Sequence, residues 1–196
     1  MALTRLGLNQ AINLSTNTTG TLGVANGGTG LASGTSGQFL KFTGSTTLAS
    51  AADNGKTLQV VSATAQNSSN TTSTSFVDTG TTLDITPSAT SSKILVTYDS
   101  GVCYENNNYS NFYCYATIDR GGTNLSGSGS SFSGIYAYNL DQVNDYGFNF
   151  SMNYLDSPST TSATTYKIQW RVNNAGAHIY YNLEGKSTIT LTEIGA

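Results

Sequence analysis

Charge is what this chain has least of. Its 196 residues hold eight Lys and Arg, eleven Asp and Glu and one His, so charged side chains make up 10% of it, against roughly 25% in an average soluble domain. The cations are scattered and the formal charge is −3. That excludes the dense basic patch with which a protein neutralises nucleic-acid phosphates. No run approaches the ~18 consecutive apolar residues of a membrane span, so no membrane insertion is expected. In Met1–Asn17, Asn9, Gln10 and Asn13 interrupt the apolar residues, and a secretory leader is not expected either. The Asn-x-Ser/Thr triplets at Asn17, Asn70, Asn108 and Asn149 then follow from composition, not glycosylation. Two cysteines are too few for a disulfide scaffold. Cys103 and Cys114 are expected on adjacent strands of one hairpin, either diagonal at roughly 7–8 Å or on opposite faces, and both placements favour free thiols.

Solubility falls to Ser, Thr and Asn, which dominate stretches such as Gln66–Ser75 and Thr81–Ser92. Thr with Tyr, Val and Ile suits a pleated strand better than a helix. The chemistry changes near Asp53. Before it the only charges are Arg5 and Lys41 and the only aromatics Phe39 and Phe42; all 12 Tyr lie from Tyr98 onward. Residues 1–55 therefore form one region and residues 56–196 another. The Gly/Ser/Thr-rich first region cannot by itself bury enough apolar surface to offset its ordering entropy. It is either a flexible linker or a thin shaft ordered by other copies of itself. In a shaft, Leu3, Leu6, Leu8, Ile12, Leu14, Leu22 and Val24 would meet around the common axis or at the docking point, and the glycines would allow close approach.

From Lys56 the period is two. Tyr146, Phe148, Phe150, Met152 and Tyr154 alternate with small polar residues, and Tyr166, Ile168, Trp170 and Val172 alternate with Lys167, Gln169 and Arg171. Further strands are expected at Thr57–Thr64, Thr74–Asp78, Thr82–Thr86, Lys93–Tyr104, Asn111–Arg120, Ser131–Asn139, Ala177–Tyr181 and Ser187–Ile194. About ten short strands and no helical period suit an all-β antiparallel sandwich of jelly-roll type, with Trp170 in its core.

Two segments resemble known proteins. Ile12–Gly30 (INLSTNTTGTLGVANGGTG) is similar to a segment of phage tail-fibre and other virion-appendage proteins. Thr74–Val96 (TSFVDTGTTLDITPSATSSKILV) and the closing Thr188–Ile194 (TITLTEI) resemble the start and end of a fibre-head domain of aquatic phages. One departure is Gly23, where that family often carries Pro. The resemblance implies a structural virion protein, homotrimeric, assembled in the host cytoplasm. Its N-terminal region would attach to other virion proteins (tail, adaptor or capsid) and its head would face a host-surface glycan or protein. A capsid decoration or head-fibre protein without a receptor role is the alternative.

Chemistry is thinly represented. Asn54-Gly55-Lys56-Thr57 ends like a phosphate-binding loop, but position 50 is Ser rather than Gly. His178 is the only histidine, and one His with two Cys suggests neither a triad nor a metal site. Glycan-cleaving carboxylate pairs would have to come from Asp141, Asp145 and Asp156, or from Glu105 with Asp119. No catalytic residue, metal or cofactor is expected. Recognition fits better: aromatics stack on sugar faces while Asn and Ser bond hydroxyls. The candidate contact residues are Tyr104, Glu105, Asn106, Asn107, Asn108, Tyr109 and Tyr113, in and beside the loop ENNNYSN, with Tyr136, Tyr138, Tyr180 and Tyr181 as secondary candidates.

Overall fold

The computed structural model describes residues 29, 31, 34–36, 38–45, 47–51, 55–65, 68–105, 111–138, 146–181 and 185–195. The shaft and docking candidates Leu3, Leu6, Leu8, Ile12, Leu14, Leu22 and Val24 lie outside them, as do Asn106, Asn107, Asn108 and Tyr109. The chain divides into two units, Met1–Asn54 and Gly55–Ala196. Among the described residues there is no helix.

In the first unit β1 (Phe39–Gly44) pairs antiparallel with β2 (Thr47–Ala51). The register puts Leu40 opposite Ser50 and Phe42 opposite Leu48, so Leu40, Phe42 and Leu48 share one face. Phe39, Leu40 and Phe42 are each more than half exposed. An isolated two-stranded hairpin is marginal in water.

The second unit holds β3 (Thr57–Ala65), β4 (Ser69–Thr71), β5 (Val77–Ile85), β6 (Lys93–Asp99), β7 (Cys103–Glu105), β8 (Phe112–Arg120), β9 (Thr123–Asn124), β10 (Ser133–Ala137), β11 (Tyr146–Phe148), β12 (Ser151–Asp156), β13 (Thr164–Val172), β14 (Ile179–Tyr181) and β15 (Ser187–Ile194). The first sheet runs β12-β6-β15-β3, a half-sheet repeats that order as β11-β7-β14-β4, and the second sheet runs β10-β8-β13-β5 with β9 on β8. Each strand of the first sheet thus has a sequence neighbour at the same place in the half-sheet, and the four pairs are four long strands broken at one level. Counting each broken strand once and setting aside the two-residue β9 gives eight strands, with sheet orders 1-8-3-6 and 2-7-4-5. That is an antiparallel jelly roll, two Greek keys closed face to face.

The break has a local cause. Ser100 N–H donates to the Phe150 carbonyl at 2.9 Å, and Ser100 Oγ accepts from Phe150 N–H at 2.7 Å. Gly101 adopts φ +64°, and a Cβ there would lie 2.7 Å from the Lys186 carbonyl oxygen. Only glycine lets the two backbones approach so closely.

The alternation expected from the sequence holds across the break: Phe150 and Met152 are buried, Gly147, Asn149, Ser151 and Asn153 exposed. Tyr166, Ile168, Trp170 and Val172 are all buried, and Trp170 meets Tyr181 edge to face at 5.5 Å. Two expectations fail. Thr74–Asp78 and Thr82–Thr86 are not separate strands: Thr74–Phe76 are not strand, and β5 runs unbroken from Val77 to Ile85, because a bulge absorbs Gly80 at φ +90° and Thr79 Oγ1 bonds the Ile168 carbonyl. Cys103 and Cys114 are not on one hairpin, because β7 pairs with β11 and β14 in the half-sheet while β8 belongs to the second sheet. Both are buried, and they are not joined in a disulfide.

Hydroxyls and charges tie the layers together. Tyr98 OH donates to Tyr181 OH at 2.8 Å, and Thr81 Oγ1 lies 2.6 Å from Tyr181 OH. At one end Arg120 clamps Asp156 through bonds of 2.8 and 2.6 Å, and Tyr166 OH donates to the same carboxylate at 2.6 Å. This joins β8 and β13 to β12 across the sandwich. Burial, then the Asp156 hydrogen bond, pushes the Tyr166 phenol well above its usual range.

Candidate functional site

Sheet register decides which aromatics gather. On β8, Tyr113 and Tyr115 are two residues apart and point outward. β10 sets Tyr136 opposite Tyr113 and Gly134 opposite Tyr115, and β13 sets Arg171 opposite Tyr115. Tyr113 stacks on Tyr136 at 4.2 Å and 21°, lies parallel to Tyr115 at 6.0 Å and 3°, and Tyr136 lies 6.0 Å from Tyr138. The Arg171 guanidinium caps the row, 4.2 Å from the Tyr115 ring and 5.2 Å from Phe76. Gly134 leaves room for the flat Tyr115 ring, since a Cβ there would come within 3.2 Å of Tyr115 Cδ1. Asn173 anchors the end of the strand: its Oδ1 accepts from Tyr113 N–H at 2.7 Å, and its own N–H donates to the Tyr113 carbonyl at 3.1 Å.

Tyr136 and Tyr138 are 51% and 61% exposed, so the row is open to solvent rather than core. Hydrogen bonding with Tyr113 raises the Tyr136 phenol above its usual value. From β10 to the entry of β5 the row crosses three strand spacings, roughly 14 Å. Next to it lies an open depression lined by Phe76, Asp119, Asn124, Ser128 and Gln169, under the glycine-rich turn after β8. Asp119 is buried there, and its carboxylate accepts from Gly122 N–H at 2.9 Å. Flat π faces, phenolic hydroxyls, a guanidinium and amide groups on one surface are the means by which proteins hold polyhydroxylated rings. Among the described residues no group of three or more His, Cys, Asp and Glu side chains could hold a metal ion.

The sequence-derived contact residues are split. Tyr113, Tyr136 and Tyr138 join the row on the second sheet. Tyr104 lies on the outer side of the half-sheet, stacked on Tyr180 at 5.0 Å and 10°, with His178 4.7 Å further and 3.3 Å from Asn70. Glu105 ends β7 with its side chain buried, and Tyr181 is core; neither is a surface contact. The residues missed were Tyr115, Arg171 and Phe76. Tyr115 was readable, because i, i+2 spacing from Tyr113 puts both on one face. Arg171 and Phe76 depend on how β13 and β5 register against β8, which no local pattern encodes. Of the carboxylates considered for glycan cleavage, Asp141 and Asp145 lie outside the described residues, and Asp156 is engaged by Arg120 and Tyr166.

No protein-family model and no curated protein matches this chain. Among solved structures it is similar to a chain of the T13 particle of infectious bursal disease virus, at 12% identity and TM-score 0.38 over 80% of this chain and 39% of that one. It is also similar to the VP2 subviral particle of that virus, at 9% identity and TM-score 0.37 over 80% and 42%. The chain spans about two fifths of the length of these proteins.

Proposed function

We propose that this chain is a structural virion protein: a homotrimeric phage fibre, attached to the particle by its N-terminal region and binding a host-surface glycan with its jelly-roll head. The observation that carries the reading is the open row Tyr138–Tyr136–Tyr113–Tyr115 capped by Arg171. Cross-strand stacking adds only a modest term to the fold, and the ring faces that the stack leaves open, chiefly at Tyr136 and Tyr138, match the C–H face of a pyranose. The fibre-like motifs of Ile12–Gly30 and Thr74–Val96 supply the virion context. The exposed apolar face of the β1–β2 hairpin supports assembly from several copies, because such a hairpin needs a covering surface. The head binds and does not catalyse, and it requires no metal or cofactor.

The test is retention of host-envelope polysaccharide by the immobilised full chain. Wild-type protein is expected to retain it and the double variant Tyr113→Ala/Tyr136→Ala to lose at least about tenfold in affinity, in line with the energetic weight of paired aromatics. Equal retention by both would remove glycan binding from this face. Immunogold labelling of virions then fixes the location: label on the tail supports a tail fibre, and label over the capsid shell supports a decoration protein.

A further inference from the structure

The first sheet also has an outer face, and its chemistry is of a different kind. Register aligns its outward residues in rows across β12, β6, β15 and β3. One row is Leu155, Leu95, Thr192 and Val60; the next is Asn153, Thr97, Thr190 and Ser62. Leu155 and Val60 are about half exposed in the single chain. Among the described residues of these four strands the outward-facing charges are Lys93 and Asp99, at opposite ends of β6, and none of the outward-facing side chains is aromatic.

We infer that this face is where copies of the chain pack together in the trimer, its occupant being the same face of a second and third copy. The inference rests on the trimeric reading above and locates it. The choice of occupant follows from charge and hydrogen-bonding chemistry. Burying an unpaired charge is prohibitive and burying an unpaired hydroxyl is costly. Here a contact centred on the two middle rows leaves Lys93 and Asp99 at the rim. A hydroxyl both donates and accepts, so Thr and Ser rows satisfy an identical row without needing a complementary partner. Ser62 Oγ and Thr190 Oγ1 already do so at 3.0 Å within the sheet. The apolar row beside them supplies the area that must leave water. Four strands of this length make a face about 19 Å by 27 Å, and the two interfaces that each copy makes in a closed trimer would together use the whole of it.

The experiment is maleimide labelling of full-length single-site variants, with oligomeric state measured by light scattering on the same samples. Thr97→Cys places a thiol in the middle of the face, and Thr82→Cys places one on the outer side of β5 as a reference; both positions are exposed in one chain. The native thiols stay silent because Cys103 and Cys114 are buried. Trimeric Thr97→Cys is expected to label about tenfold or more slowly than trimeric Thr82→Cys, and Ser62→Cys to behave like Thr97→Cys. Equal rates at all three positions in a trimer would overturn the assignment of this face while leaving the trimer intact. A wild-type monomer would overturn both.

Discussion

Inside the sandwich, β6 and β13 do the same work. Ile94, Val96 and Tyr98 from one sheet and Tyr166, Ile168, Trp170 and Val172 from the other are all buried in a single core. Outside they diverge. The second sheet shows Tyr113, Tyr115 and Tyr136 with Arg171, whereas the first shows Leu, Val, Thr and Ser and almost no charge. Both outer faces satisfy the same period-two rule, so folding does not require the difference. On the proposed reading, the difference corresponds to two kinds of partner: a ring-bearing ligand that rewards flat π surfaces, and an identical protein surface that rewards hydroxyls and aliphatics. A chain with 10% charged residues makes the contrast easy to read, because little surface charge is present to obscure it.

The sharpest way to break the comparison is to attack what the faces share. Trp170 is 1% exposed and packs on Tyr181. Trp170→Ala should cost roughly 3–5 kcal/mol, and glycan retention and assembly should fail together at the lowered melting temperature. A melting temperature equal to wild type would refute the placement of Trp170.

Next in size is a change confined to the first sheet. Glu193 is fully buried at the end of β15; it accepts from Ser88 N–H at 2.7 Å, Ser88 Oγ at 2.6 Å and Gln59 Nε2 at 2.6 Å. Burial alone would raise its carboxyl, but the hydrogen bonds from Ser88 and Gln59 outweigh it and hold the group down at about 2. A carboxyl held below its unfolded value stabilises the fold fully at neutral pH and ceases to as pH falls from about 4.5 towards 2. Glu193→Gln should therefore cost about 2 kcal/mol at pH 7, and the gap to wild type should close on acidification in chemical denaturation. A gap independent of pH would show that packing, not charge, is lost.

The contrast between faces was only partly legible in the sequence. Alternation along Thr165–Asn173 gave the inward set, including Trp170, because a strand's period is local. The jelly roll was legible to the level of an antiparallel sandwich. Its strand order and the shared break at Ser100–Gly101 were not, since both depend on which distant strands meet. The same limit split the recognition candidates: Tyr104 and Tyr113 are nine residues apart, yet β7 and β8 lie in different sheets. Glu105 reads as the first residue of the loop ENNNYSN, but it follows Tyr104 in β7 and must point inward. The gap expected between Thr74–Asp78 and Thr82–Thr86 is bridged at Gly80, where a bulge absorbs the positive φ.

The smallest expected change in stability makes the most discriminating test. Tyr136 projects from β10 at 51% exposure, and its ring contacts are with Tyr113 and Tyr138, themselves on the outer surface. Tyr136→Ala removes no core volume and leaves no buried polar group unpaired, so the cost should stay within about 0.5 kcal/mol, apart from the modest stacking term. Assembly should be untouched, because the residue is on the second sheet and the inferred interface on the first. Glycan retention should fall. If Tyr136→Ala instead dissociates the trimer while the fold persists, the tyrosine row is itself an interface between copies, and the roles assigned to the two faces must be exchanged.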